Sequence, residues 1–460
     1  MKASDALLET RNALAAGARF AWLFFEAVGG ATRAHYVVDD AGKLHDCAGD
    51  VEGTLRSLAS ATPAAEWYER EAIERFDISF SELPLAATLS YPVAAEELRS
   101  YSASAEVSTV LYGPVRSGIV ESARWNVGTA GEDFIDVCPS MFFKHRGLEE
   151  RFEGTPLQLA PYVAEYVSGA TASSHAAVFS RAVEAALGIR VPDRARAARA
   201  VLVELERIHQ HLDSLAKLAD DGSLSVGAAM TFAAKERVHR LLCEATGNRF
   251  ARGTICVGGT RFDALSRLAD ACERALDEVQ QQATQTVAGL VSTPSLIDRL
   301  IGTGRLDEST IRAYGAVGPV ARGSHVSSDV RACDGYLYTP LDGEETREQT
   351  GDAAARALVR VGEITRSFQL IRNALDADPA GPSVVAYTPQ DGSAIARVES
   401  PQGELLYFVR IESGILSRVA IRSASFANWP AFVPSLPGNI FTDFSFIEHS
   451  FGAIQAEVDR

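Results

Sequence analysis

Six thiols are the first residues of this chain that could hold a metal or carry redox chemistry: Cys47, Cys138, Cys243, Cys256, Cys272 and Cys333. None stands at CxxC spacing to another, and no histidine cluster completes a zinc pattern. Isolated cysteines in a reducing compartment read as small core residues. Each of the six, Cys138 included, is therefore expected to be structural. His209 and His211 lie two positions apart in a helical stretch, which puts them on opposite faces and stops them sharing one ion. They are expected to be surface or hydrogen-bonded histidines. The chain has no HExxH, no GxSxG, and neither phosphate-cradling GxxxxGK[ST] nor GxGxxG, which argues against a nucleotide held by this chain. Spacing alone assigns no chemistry.

The elements that would position such residues follow from composition and periodicity. At roughly 150 residues per domain, 460 residues suggest two to four compact units. The 44 Lys+Arg against 60 Asp+Glu give a net charge of −16, which argues against nucleic acid and against docking on anionic lipid. The longest apolar run, Phe20 to Phe25, is about a third of the ~20 residues of a membrane span. The N-terminus is acidic and amphipathic, so no signal peptide is expected and the chain reads as intracellular. Residues 1–100 read as a small α/β unit. It has helices over Leu7 to Ala18, Val51 to Ala59 and Ala65 to Phe76, and a strand at Ala34 to Val38. Pro84 and Pro92 interrupt it, and the polar stretch Glu96 to Glu106 reads as a linker. Val107 to Leu111, Gly118 to Val127 and Phe134 to Phe143 alternate as strands, forming a β-rich segment. Helical periodicity governs about 155–291, where a bundle of long helices is predicted. One starts at Pro192-Asp193, and others run over about Gly227 to Ala245 and Asp263 to Val291. A helix from Thr350 to Leu375 precedes strands at Ala394 to Val398, Glu404 to Ile411 and Arg418 to Arg422, giving a C-terminal α/β portion. The fold class is α+β.

Ordered motifs then carry a family resemblance. Gly113-Pro114, His145-Arg146-Gly147-Leu148-Glu149-Glu150, Val191-Pro192-Asp193-Arg194-Ala195 and Glu204 to Leu212 come first. Gly318-Pro319 to Ser324, Asp329-Val330-Arg331, and Gly351-Asp352 with Arg356, Arg360 and Glu363 follow. Glu399-Ser400-Pro401-Gln402-Gly403-Glu404, Ser425-Phe426-Ala427-Asn428 and Glu457-Val458-Asp459-Arg460 complete the order. The series resembles the D (forty-nine-kilodalton) subunit of respiratory complex I and the large subunit of membrane-bound group-4 nickel–iron hydrogenases. Trp67-Tyr68-Glu69-Arg70-Glu71, with Phe76 beyond, is similar to the C (thirty-kilodalton) subunit of complex I, although Asp77 stands where Gly is usual. The resemblance implies a C-like unit over 1–100 and a D-like unit over 107–460. That arrangement looks like formate hydrogenlyase-type large subunits.

The resemblance also says what is missing. Such hydrogenases hold nickel with two CxxC pairs of soft thiolates. Ser168 and Thr171 occupy the first pair's positions, and Ile454 and Glu457 the second's. Gln402 stands where the hydrogenases carry an active-site Arg. No nickel, and no hydrogenase activity, is expected. On the complex I side, Glu165-Tyr166-Val167-Ser168 resembles the segment whose Tyr serves the quinone headgroup, which makes Tyr166 the leading catalytic candidate. A phenol can stabilise and protonate a reduced oxygen. That Tyr's usual histidine partners are replaced by Arg116 and Val120. His175 is a candidate proton relay, and Glu457 a buried carboxylate suited to proton transfer or to a salt bridge with Arg460 or Arg116. Arg116, His145 and Arg146 are candidates near the acceptor or the partner's cluster. The resemblance implies no iron–sulfur cluster in this chain and a quinone-like acceptor. It implies a small B-like iron–sulfur partner, membrane subunits of an ion-moving module, and a place on the inner face of the cell membrane held through those partners. The alternative is a non-catalytic scaffold joining the same partners.

Overall fold

The computed structural model describes residues 1–84, 89, 107–116, 122–333, 337 and 346–460. Helix α1 (Ala3–Ala15) opens the chain and lies on an antiparallel meander of β1 (Arg19–Val28), β2 (Ala31–Asp40) and β3 (Lys43–Asp50). The stretch read as a helix over Val51 to Ala59 is instead extended: β4 (Leu55–Arg56) pairs in parallel with β5 (Phe80–Ser81). Between them runs α2 (Glu66–Phe76). It ends at Asp77, whose φ of 52° is the left-handed cap a glycine would otherwise supply. Aspartate tolerates that region better than most side chains.

A second meander follows, of β6 (Ser108–Tyr112), β7 (Arg124–Ala130) and β8 (Asp133–Ser140). The predicted linker Glu96 to Glu106, Pro92, Val120 and the start of the predicted strand at Gly118 lie outside the described residues. Short helices α3 (Leu148–Phe152) and α4 (Ala160–Glu165) lead to α5 (Ala172–Leu187), α6 (Asp193–Asp221) and α7 (Ser225–Thr246). A small hairpin, β9 (Ile255–Cys256) with β10 (Gly259–Thr260), precedes α8 (Ala264–Val291). Three short helices follow: α9 (Pro294–Leu300), α10 (Glu308–Tyr314) and α11 (Gly318–Arg322). Next are α12 (Ala353–Ala377), the meander β11 (Gly392–Ser400), β12 (Gly403–Glu412) and β13 (Ile415–Arg422), and finally α13 (Ala424–Phe432), α14 (Phe444–Phe451) and α15 (Gln455–Val458). The fold is α+β. No helix among the described residues is long and apolar enough to cross a membrane.

The architecture is layered around β12. Successive side chains of a strand point to opposite faces, and β12 buries both. Leu405, Tyr407, Val409 and Ile411 join the core of the helix bundle, whereas Leu406 and Phe408 join the core shared with β1. Phe408 meets Phe24 at 4.8 Å between ring centroids. The Phe20 to Phe25 run is apolar on every residue because both faces of β1 are covered.

Helix α6, about 44 Å long at 1.5 Å per residue, runs through the bundle buried along most of its length. Its charged side chains are therefore paired rather than solvated. His209 and His211 do face opposite ways, but both are buried. His209 packs at 4.4 Å on the ring of His239, and His211 Nε2 lies 2.8 Å from Glu363 of α12. The cysteines are not uniformly core residues: Cys47 and Cys272 are buried, while Cys243 and Cys333 are exposed.

Candidate functional site

Four elements meet around one carboxylate. The first turn of α5 supplies His175, with Thr171 at its N-cap position. Helix α15 supplies Glu457, α13 supplies Ser425, and β12 supplies Tyr407. Glu457 is buried. Its Oε1 accepts from Thr171 Oγ1 at 2.5 Å and its Oε2 from Ser425 Oγ at 2.6 Å. His175 Nε2 stands 3.6 Å from Oε1, and its Nδ1 is 2.7 Å from the Tyr407 hydroxyl. With the ring proton on Nε2, Tyr407 O–H donates to Nδ1 and the imidazole N–H faces the carboxylate. Burial opposes ionisation of Glu457. His175, Ser425 and Thr171 outweigh it and hold the carboxyl below its usual range. Burial, reinforced by the nearby Glu457 charge, pushes the Tyr407 phenol well above its ordinary value.

The other two positions that the resemblance matches to nickel ligands, Ser168 and Ile454, behave differently. Ser168 Oγ is buried with no hydrogen-bond partner among the described residues. Ile454 is half-buried, and its backbone N–H donates to Ser425 Oγ at 3.0 Å. The donor set at the four positions is thus two hydroxyls, an alkyl group and a carboxylate. It does not fit a group that needs soft thiolates. Neither salt bridge considered for Glu457 forms. Arg116 is engaged bidentately by Glu448, both Nη atoms at 2.8 Å. Arg460 reaches Glu149 at 2.8 Å and Glu71 at 2.6 Å.

A second carboxylate lies beneath the same helix start. Glu206 of α6 accepts from the backbone N–H groups of Ser173 (2.6 Å) and Ser174 (3.1 Å) and from the Ser174 hydroxyl. Burial pushes it up to about 7, against those hydrogen bonds and with help from the Glu457 charge.

Tyr166 sits on the opposite side of the turn, directly after α4. It is 58% exposed, but its main chain is fixed. Arg146 Nη1 donates to the Tyr166 carbonyl at 2.7 Å, and Nη2 donates to the Val167 and Ala456 carbonyls, each at 2.7 Å. Arg146 therefore ties the Tyr166 turn to α15, and with it to Glu457. His145 joins this clamp through Nδ1, 3.0 Å from the Asp459 carbonyl. The Asp459 carboxylate in turn accepts from the Phe142 and Lys144 N–H groups at 3.0 Å. Glu165, next to Tyr166, turns inward to the Gly253 N–H at 2.8 Å, and burial pushes it up to about 7.

Tyr166, Arg146, His145, Thr171, His175 and Glu457 are thus brought into one region, whereas Arg116 is committed to Glu448. Sequence reasoning missed Tyr407, Ser425 and Glu206 as partners, and also Arg252, whose guanidinium carbon lies 4.9 Å from the Tyr166 ring centroid. Ser425 and Glu206 had a signal, as parts of quoted motifs.

The other motif residues form a structural network. Arg322 bridges Glu399 (2.9 Å) and Glu363 (2.6 Å). Arg331 pairs with Asp329 (2.6 Å) and Glu204 (3.2 Å), and Arg207 donates to the Ser400 and Glu399 carbonyls. These contacts bolt α6, α12 and β11 together without solvent.

Comparison with known proteins assigns the chain to a family. The family described as respiratory-chain NADH dehydrogenase, 49 Kd subunit, matches residues 220–391 and 383–460. Those spans run together as 220–460, more than half of the 460 residues. Formate hydrogenlyase subunit 5 of Escherichia coli (strain K12) is 28% identical over 436 residues, 88% of this chain and 76% of the relative. The carbon monoxide-induced hydrogenase of Rhodospirillum rubrum is 29% identical over 347 residues, 74% of this chain and 96% of its own. A chloroplastic NAD(P)H-quinone oxidoreductase subunit of Morus indica is 29% identical over 386 residues, 77% of this chain and 98% of its own. By these matches, and by the motif residues that build its core, the chain belongs to the family of the respiratory-chain NADH dehydrogenase 49 Kd subunit.

Proposed function

We propose that this chain is the large subunit of a membrane-associated oxidoreductase complex, that it carries no nickel–iron site, and that it passes electrons from a partner iron–sulfur subunit to a quinone-like acceptor at Tyr166. One observation carries the reading. The Glu457 carboxylate is tied by hydrogen bonds to Thr171 and Ser425 with His175 Nε2 3.6 Å away, while the Tyr166 ring stands open on a main chain fixed by Arg146. In this role Tyr166 O–H stabilises and protonates the acceptor oxygen. The Glu457–His175–Tyr407 chain holds a charge and exchangeable protons behind the same turn. The acceptor face and the His145–Arg146 segment lie against a small iron–sulfur partner. Membrane subunits of an ion-moving module anchor the assembly at the inner face of the membrane. Residues 1–100 serve as the C-like unit and 107–460 as the D-like unit. A scaffold without redox chemistry is the second reading, favoured by the commitment of Arg116 to Glu448 where the resemblance places an acceptor histidine.

The test is quinone reduction by the purified assembled complex, wild type against Tyr166→Phe, with nickel assayed in the same sample. A fall of at least about tenfold without nickel supports the reading. No reduction by either intact complex supports the scaffold, and stoichiometric nickel overturns both.

A further inference from the structure

In a chain of net charge −16, a guanidinium that touches no acid stands out. Arg252 follows α7 and makes no ion pair and no side-chain hydrogen bond among the described residues; its Nε is buried and unpartnered. Its position is nonetheless fixed. The guanidinium carbon lies 4.9 Å from the Tyr166 ring centroid and 5.8 Å from that of Phe250. Those contacts consume none of its N–H donors, since ring faces are not hydrogen-bond acceptors of the ordinary kind. On the third side it rests against Gly169, where a Cβ would stand only 2.8 Å from Nη2. A side chain there would force Nη2 to shift. Glu165, the acid on the same turn, feels the Arg252 charge but faces inward to Gly253. The result is a preorganised set of donors with no internal acceptor, beside an exposed phenol.

We infer that Arg252 and Tyr166 together form the binding subsite for the oxygen of the acceptor that becomes anionic on reduction, with Arg252 supplying the positive charge. The inference rests on the acceptor reading above. Two electrons leave reduced clusters of the partner subunit one at a time and, with two protons, convert a quinone to its hydroquinone. Negative charge grows on the carbonyl oxygen nearest Arg252, whose N–H groups donate to it. Tyr166 O–H gives that oxygen its proton and recovers one from solvent; the second proton also comes from solvent. A hydrogen bond from a charged donor to an anion is stronger than one to a neutral carbonyl. The arginine therefore discriminates by charge, and the phenol alone does not.

The test uses the assembled complex and two probes, an ionised hydroxynaphthoquinone and the neutral parent naphthoquinone. Binding of each is measured to wild type, Arg252→Gln, Arg252→Lys and Tyr166→Phe. Arg252→Gln is expected to weaken the ionised probe at least about tenfold and the neutral probe under threefold, with Arg252→Lys restoring part of the loss. Equal weakening of both probes, or of neither, overturns the charge role. Loss of the iron–sulfur subunit from the Arg252→Gln complex also overturns it, by assigning the arginine to the subunit interface. If wild type binds neither probe, the acceptor reading fails and the subsite with it. If Tyr166→Phe weakens both probes while Arg252→Gln weakens neither, the acceptor reading stands and only the Arg252 subsite falls.

Discussion

The turn from Tyr166 to Thr171 has two sides, and they are built in opposite ways. On the inner side each oxygen of the Glu457 carboxylate has a hydroxyl donor, and His175 is held in turn by Tyr407. On the outer side Tyr166 keeps its ring in solvent and Arg252 keeps its donors unspent. The inner side resembles a core in its energetics, because a buried charge is tolerated only when hydrogen-bonded. The outer side leaves capacity unused, as a surface that meets a ligand must. The closed inner side is thus the rigid base on which the open outer face stands.

Removing the inner charge is expected to give the largest effect. Glu457→Ala strips the Thr171 and Ser425 hydroxyls of their shared acceptor and should cost roughly 2–6 kcal/mol, at ~1–3 kcal/mol for each buried donor left unsatisfied. A lower urea midpoint at unchanged slope would show it; a change below about 1 kcal/mol would erase the contrast between the two sides.

Glu206 gives the next effect, and its sign can be worked out. Its folded value of about 7 lies above its ordinary 4.5, so between those values the native state keeps a proton that the unfolded chain has released. Its contribution is complete below 4.5 and is lost as pH rises through 7. Wild type should therefore lose stability from pH 5 to pH 8 relative to Glu206→Gln. Parallel profiles for the two proteins would refute this.

Tyr166→Phe should change stability by no more than about 0.5 kcal/mol, as exposed substitutions do, while lowering acceptor reduction at least about tenfold. Destabilisation comparable to Glu457→Ala would make Tyr166 a packing residue. Smallest of all, Ser168→Ala deletes a buried hydroxyl with no partner among the described residues. It should be neutral or slightly stabilising, within about 1 kcal/mol, in a thermal melt.

The long helices were legible because their apolar residues recur at three and four. The predicted boundaries near Gly227 to Ala245 and Asp263 to Val291 fall within two residues of α7 and α8. Val51 to Ala59 was misread because a two-residue strand carries no period of its own, and its partner Phe80–Ser81 lies beyond a whole helix. At the site, a resemblance could place Thr171, His175 and Glu457 but not their partners. His175 and Tyr407 are 232 positions apart, and Thr171 and Glu457 are 286 apart. No local pattern announces such meetings. Arg252 was hidden for a related reason: an arginine becomes unusual only when the fold keeps every acid out of its reach.

The alternation along β12 has a consequence for how the molecule is made. Phe24 and Glu26 on β1 wait for Phe408 and Arg410; Glu26 and Arg410 are 384 positions apart. At ~5–20 residues per second, a ribosome takes roughly 20–75 seconds to cover that distance. For that interval the aromatic face of the first sheet is on the growing chain without its cover. That face of the first sheet is therefore buried only after the last quarter of the chain has emerged.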